Sequence, residues 1–132
     1  MPKKPEPTHG GKTIEDLRQL VLTAIDDMKA ENIIELDVKD KTSVTDLLII
    51  ASGTSSRHVK SIAANVAVEA KKQGRPPLGV EGEDQGEWVL VDLGDVVVHI
   101  MQPHIRDFYD LEKLWSFEEH TADTSAGVAG SN

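Results

Sequence analysis

The 132-residue sequence contains no cysteine, and none of its apolar runs approaches the ~18 residues of a membrane span. The lack of cysteine excludes disulfides, thiolate metal sites and a cysteine nucleophile, and it is typical of a protein kept in a reducing cytoplasm. The N-terminal residues, "MPKKPEPTHGGK", have no apolar signal-peptide core. We therefore predict a cytoplasmic protein that does not use a membrane.

Basic residues are scarce beside acidic ones. The chain has 14 Lys and Arg against 23 Asp and Glu, a formal net charge of −9. Such a protein is repelled by nucleic acid and by anionic membranes. Its basic residues are scattered, apart from Lys71, Lys72 and Arg75 near a predicted helix end. We therefore expect no direct DNA binding, and the favoured partner is a basic protein surface or a small cationic or neutral ligand.

Apolar residues recur in patterns that alternate between helix and strand. Spacings of three and four predict helices, strict alternation predicts half-exposed strands, and short continuous runs predict buried strands. Interleaved in this way, the elements predict an α/β fold, a mixed β-sheet with flanking helices. The helical patterns cover about 13–31, 59–70 and 105–115, and the strand patterns cover about 34–38, 46–52, 78–82, 87–92 and 95–101.

The two ends of the chain have no core-forming period. We expect residues 1–12 to form a flexible N-terminal arm, because Pro, Lys and Gly occur there without a pattern. Residues 116–132 are small and polar, which predicts a disordered C-terminal tail. Residues 13–115 remain as one predicted domain.

The stretch "GEDQGEWVLVDLGDVVVHI", residues 82–100, reads as two apolar strands joined by a tight acidic turn. Six carboxylates lie between positions 81 and 95, with no Lys or Arg among them. If Val89 and Val91 face the core, Trp88 faces water beside Asp92, and an exposed Trp rimmed by acids is typical of an interaction hot spot. If helices cover both sheet faces, Trp88 is instead a core residue.

The pattern "IIASGTSSR" places a glycine turn between a strand and a helix start, where free N–H groups could hold a phosphate. The turn lacks the second Gly and the Lys of a P-loop, so a capped helix is the favoured interpretation.

Two carboxylate pairs, Asp37 with Asp40 and Asp92 with Asp95, could bind a metal only by converging on one ion. We predict no cofactor, no metal and no enzymatic activity.

Three longer motifs resemble one known family. The stretches "SVTDLLIIASGTSSRHVKSIA", "PLGVEGE" and "EWVLVDLGDVVVHIMQ…RDFYDLEKLW" are similar, in this order, to the ribosomal silencing factors, also called the Iojap-like family. The resemblance runs from about Ile14 to Trp115. It implies a nucleotidyltransferase-like fold without established catalytic activity.

The resemblance also implies a function. Family members look like factors that bind the large ribosomal subunit through its protein fourteen, where the small subunit would dock. Binding there blocks subunit joining and represses translation under nutrient limitation, as in stationary phase. The resemblance also allows a homodimer when the protein is free.

The family's contact surface corresponds to the acidic strand and turn. Carried over to this chain, it implies Trp88 and Leu93 as apolar anchors and Asp92 and Asp95 as partners of Lys or Arg. Glu81 and Glu83 are expected at the rim. Two alternatives stay open: a nucleotidyltransferase-like enzyme that uses the turn at residues 53–57, and an acidic adaptor for another basic protein.

Overall fold

The computed structural model describes residues 13–110. In this part of the chain helices and strands interleave as predicted, which confirms the α/β class. The elements are α1 (Ile14–Asp27), β1 (Glu31–Asp37), β2 (Leu47–Ser52), α2 (Ser56–Lys72), β3 (Gly79–Glu81), β4 (Trp88–Asp92), β5 (Val96–Met101) and α3 (Pro103–Tyr109).

The five strands form one mixed sheet in the order β1-β2-β5-β4-β3. Strands β2 and β5 are parallel, and the other neighbours are antiparallel. Strand β5 is central and all six of its residues are buried, as its apolar side chains on both faces predict. Strand β3 is a short edge strand, also as predicted.

Helices α1 and α2 pack side by side on one face of the sheet and bury the main core. Leu17 and Ile25 of α1 and Ile62 of α2 are 2% exposed or less and pack against β2, β4 and β5. Both helices begin at a capping residue: Thr13 and Asp16 form a capping box, and the Ser55 hydroxyl accepts a hydrogen bond from the His58 N–H. These caps satisfy backbone donors that the first helical turn leaves free.

Helix α3 packs on the opposite face of the sheet. The Nη1 of its buried Arg106 donates a hydrogen bond to Ser52 Oγ, 2.9 Å away. The helical spacing in the sequence continues to Trp115, but α3 ends at Tyr109, because Asp110 has the left-handed φ of 50°. The predicted residues of this helix from 111 onwards lie outside the described part.

Several predictions concern residues beyond the described range. The flexible arm at 1–12 and the disordered tail at 116–132 both lie outside it, so a single domain at 13–115 stays a prediction. The nucleotidyltransferase-like label stays one as well. Within residues 13–110, no helix combines the length and the apolar character needed to cross a membrane.

Candidate functional site

Alternation along β4 divides its side chains between the two sheet faces. Val89 and Val91 are fully buried under the helices α1 and α2. Trp88, Leu90 and Asp92 point to the opposite face, and each is partly exposed. The valines therefore face the main core and Trp88 faces away from it, as in the first of the two placements considered from the sequence.

Trp88 is nevertheless neither free in water nor a core residue. Its Nε1 donates a hydrogen bond to Nδ1 of His99, 2.9 Å away on β5. Its ring lies 5.9 Å from the His99 ring and 4.9 Å from the ring of Tyr109. These neighbours hold the indole, and the residue as a whole is only partly exposed.

Burial determines the charge state of His99. The residue is 9% exposed, and removal from water lowers its pKa to about 4, because the charged imidazolium is poorly solvated there. Since Nδ1 accepts the hydrogen bond from Trp88, the proton of the neutral ring is on Nε2. At neutral pH the pair is therefore an uncharged donor and acceptor.

The acidic turn between β4 and β5 is closed by two hydrogen bonds. The N–H of Leu93 donates to the carbonyl of Val96 at 2.9 Å, and the N–H of Gly94 donates to Oδ1 of Asp92 at 2.9 Å. Gly94 has a φ of +91°, which favours glycine. The predicted hairpin is present, and the carboxylate of Asp92 helps to shape it.

Leu93 does not have the position that was expected of an interface anchor. It is 5% exposed and belongs to the main core. Its side chain is therefore not in a position to act as the expected apolar anchor. The alternation of Val89 and Val91 continues to Leu93, which puts its side chain on the helix-covered face. Extending the period by two residues would have found this from the sequence.

The exposed apolar residue at this turn is Leu78, which sequence analysis did not single out. Its side chain is 76% exposed, and its Cδ1 lies next to Gly94. Its N–H donates to the carbonyl of Asp92 at 2.7 Å. No local pattern indicates this contact, because it depends on β3 pairing with β4.

The acids of the stretch are spread along the β3–β4 side of the sheet. Glu81, Glu83 and Asp95 are exposed, and Asp92 is half-buried. Gly82 brings the first two close to Trp88, since a Cβ at Gly82 would lie 2.1 Å from the Trp88 carbonyl oxygen. The glycine thus permits a contact that any side chain would prevent.

One basic side chain approaches this acidic surface. Nη2 of Arg75 lies 4.0 Å from Oδ2 of Asp95, and the guanidinium side chain is 11% exposed while the carboxylate side chain is 55% exposed. No sequence pattern predicts this pair, because the two residues are distant along the chain. Most of the Asp95 carboxylate still faces solvent and can meet a further cation.

Three N–H groups at the alternative site, those of Gly53, Thr54 and His58, donate hydrogen bonds within the protein. The N–H of Thr54 donates to Nδ1 of His58 at 2.9 Å, and the N–H of His58 donates to Ser55 Oγ. The other imidazole nitrogen of His58 lies 2.7 Å from the carbonyl oxygen of Met28, linking α2 to the end of α1. This arrangement is a capped helix start, in which two of the N–H groups are satisfied by side chains of the same segment.

The carboxylate pairs also do not form a metal centre. Asp37 Oδ1 accepts a hydrogen bond from the N–H of Lys39, and its other oxygen lies 3.7 Å from the ammonium of Lys39. Among residues 13–110, no three His, Cys, Asp or Glu side chains are grouped so that they could hold a metal ion. The pair Asp92 and Asp95 shapes and flanks a hairpin instead.

Comparisons with known proteins agree on one family. The chain matches the family model described as "Ribosomal silencing factor during starvation" over residues 11–130. It is 48% identical over 102 residues to ribosomal silencing factor RsfS of Chromobacterium violaceum, covering 77% of this chain and 84% of that protein. It is 35% identical over 103 residues to the Mus musculus protein named "Mitochondrial assembly of ribosomal large subunit protein 1", covering 74% of this chain and 45% of that one. A crystal structure of a Chromobacterium violaceum protein is similar with a TM-score of 0.78 and 47% identity, over 80% of this chain and 88% of the other.

Proposed function

The chain belongs to the ribosomal silencing factor family, and from this premise we propose that it binds the large ribosomal subunit and blocks joining of the small subunit. The contact is a basic surface of large-subunit ribosomal protein fourteen. The family is described as a ribosomal silencing factor during starvation, and the mouse relative is named for assembly of the large ribosomal subunit. Both support a ribosomal role. The proposed outcome is repression of translation when nutrients are limiting.

The observation that supports this proposal best is the partly exposed Trp88 on an acidic surface. A Trp with one edge fixed and one face open loses little conformational entropy on binding, which is a property of interface hot spots. Four acids lie on or next to the β4–β5 hairpin and its neighbouring strand: Asp92 ends β4, Asp95 precedes β5, Glu81 ends β3 and Glu83 follows it. Since ribosomal RNA is a polyanion, a chain of net charge −9 is steered away from RNA and toward an exposed basic protein.

The proposed mechanism is steric and not enzymatic. The N–H groups of Thr54 and His58 at the glycine turn are engaged within the protein, and residues 13–110 contain no group of three potential metal ligands. To prevent joining, such a factor needs only to bind the large subunit and to exclude the small subunit sterically. We therefore retain Trp88, Asp92 and Asp95 as contact residues, with Glu81 and Glu83 at the rim, and leave out the buried Leu93.

Two assays test the proposal. In the first, the protein is sedimented with purified large subunits; in the second, small subunits are added and their joining is followed by light scattering. We expect the wild-type protein to sediment with large subunits and to reduce joining. The Trp88→Ala variant should bind at least about thirtyfold more weakly, the usual loss for an anchoring Trp.

Circular dichroism and thermal melting serve as the control for folding. Val68→Ala, on α2, is a matched surface variant because Val68 is also partly exposed, at 48%, and lies away from β4. Absence of sedimentation with large subunits would refute the proposal. Binding to other basic proteins in that case would favour the acidic-adaptor alternative.

A further inference from the structure

Two exposed aromatic side chains end α3 beside Trp88. Phe108 is 79% exposed and Tyr109 is 50% exposed. With Trp88 they account for three of the five Trp, Tyr and Phe residues of the chain. Large apolar side chains left in water at one place indicate an interaction surface more often than chance exposure.

The three rings are linked by two contacts, both made by Tyr109. The ring of Tyr109 lies 4.9 Å from that of Trp88 at an angle of 50°, and the ring of Phe108 lies 5.0 Å from that of Tyr109 at 87°. Such tilted and edge-on pairs are favourable aromatic geometries. Trp88 is in turn held by its hydrogen bond to His99. The aromatic cluster, defined as Trp88, Tyr109 and Phe108, thus extends from a buried imidazole to an exposed phenyl ring.

The residues next to the aromatic cluster in the sequence carry mostly negative charge. Glu87 and Asp107 are exposed neighbours in sequence of Trp88 and Phe108. No Lys or Arg occurs between positions 76 and 105. Arg106 is 7% exposed, and its Nη1 is directed to Ser52 Oγ on the sheet. A partner that approaches these rings therefore meets a field that attracts cations.

Rings and carboxylates together match one side chain best. A guanidinium group is planar and weakly hydrated, so it can stack on an aromatic face while its N–H groups pair with a carboxylate. An ammonium group is more strongly hydrated and gains less from such a surface. A surface of aromatic rings and carboxylates should therefore bind an arginine side chain better than a lysine side chain.

We infer that the aromatic cluster receives an arginine side chain from the basic protein partner, with the Phe108 ring as the outer stacking face. The inference rests on the proposed function and extends its contact surface from β4 to α3. Tyr109 is a positioning residue, because it connects Phe108 to the anchored Trp88. The contact with the ribosomal partner would then need α3 as well as the acidic strand and turn.

The test compares substitutions at Phe108 in sedimentation with purified large subunits, using the full chain. Phe108→Leu keeps most of the apolar area but removes the π face, whereas Phe108→Trp enlarges it. We expect Phe108→Ala and Phe108→Leu to weaken binding by about tenfold and Phe108→Trp to bind at least as well as the wild type. Val44→Ala is the matched control, because Val44 is equally exposed, at 77%, and lies near β1.

Each outcome separates the inference from the proposed function. If Phe108→Leu binds like the wild type while Trp88→Ala does not, the arginine contact is refuted and the proposed function stands. If the wild-type protein does not bind large subunits, both fail. If Phe108→Ala clearly lowers the thermal midpoint, the ring is packed within the folded protein, and the inference is overturned as well.

Discussion

The indole N–H of Trp88 donates to Nδ1 of His99 across 2.9 Å, between the neighbouring strands β4 and β5. The two residues form a diagonal pair, since His99 lies opposite Leu90 in the strand register. This bond explains why the two placements considered from the sequence, exposed anchor and core residue, are both incomplete. It holds a partly exposed Trp on a buried and uncharged imidazole.

The first prediction is that His99 makes stability depend on pH. Its pKa is lowered to about 4 in the folded protein, whereas an unfolded His titrates near ~6.5. The unfolded chain therefore binds more protons between these values, so the contribution is complete above ~6.5 and decreases as pH falls toward about 4. Between about pH 7 and about pH 5, the free energy of unfolding should fall by about 2 kcal/mol from this group.

Urea denaturation of the wild type and of His99→Gln at the two pH values checks this prediction. Carboxylates contribute to acid destabilisation in both proteins. The effect of His99 is therefore the difference between the two proteins in how far the free energy of unfolding falls from about pH 7 to about pH 5. This fall should be about 2 kcal/mol smaller in His99→Gln than in the wild type. An equal fall in both proteins would show that His99 is not kept neutral by burial.

The second prediction compares two leucines at the same hairpin. Leu93 is 5% exposed and Leu78 is 76% exposed, although both lie beside the acidic turn. Leu93→Ala should lower the free energy of unfolding by about 2–5 kcal/mol, because it leaves a cavity in the main core. Leu78→Ala should change it by less than about 0.5 kcal/mol. Denaturation curves of the two variants give the answer, and similar losses would contradict the placement of Leu93.

The elements themselves could be predicted because each depends on local periodicity. The alternation in β4, the continuous apolar run of β2 and the cap at Ser55 are all present as expected. Contacts between distant parts of the chain could not be predicted in this way. Arg75 meets Asp95, and Tyr109 meets Trp88, only because the sheet order and the path of α3 bring them together. The expected role of Leu93 as an anchor was an avoidable error, because the alternation along β4 already places its side chain on the core face.

The third prediction concerns the glycine turn. We expect no Mg²⁺-dependent incorporation of nucleotide, because the N–H groups of Thr54 and His58 are already bound. Ser55→Ala should instead lower the free energy of unfolding by about 1 kcal/mol through loss of the helix cap. A radiolabelled nucleotide assay and a denaturation curve measure the two effects. Saturable incorporation that Ser55→Ala abolishes would restore the enzyme alternative.

The last prediction is that the acidic turn acts through long-range attraction. Asp92→Asn keeps an oxygen that can accept the hydrogen bond from Gly94, and Asp95→Asn removes an exposed charge. The double variant should therefore fold normally. Its affinity for large subunits should fall by roughly fivefold to tenfold at low salt, mainly through slower association. At about 0.5 M salt the loss should shrink to under about twofold, because screening already removes most of the attraction in the wild type.

The control for this experiment changes the same net charge at the other edge of the sheet. Glu31 begins β1 and Asp40 lies in the turn that follows it, and both are exposed. Strand β1 is the strand farthest from β3 in the sheet order. Glu31→Gln with Asp40→Asn should leave affinity nearly unchanged at both salt concentrations if the attraction is local to the acidic turn. An equal loss in both double variants would instead mean that only the net charge of the protein matters. The partner would then have to be located on another surface.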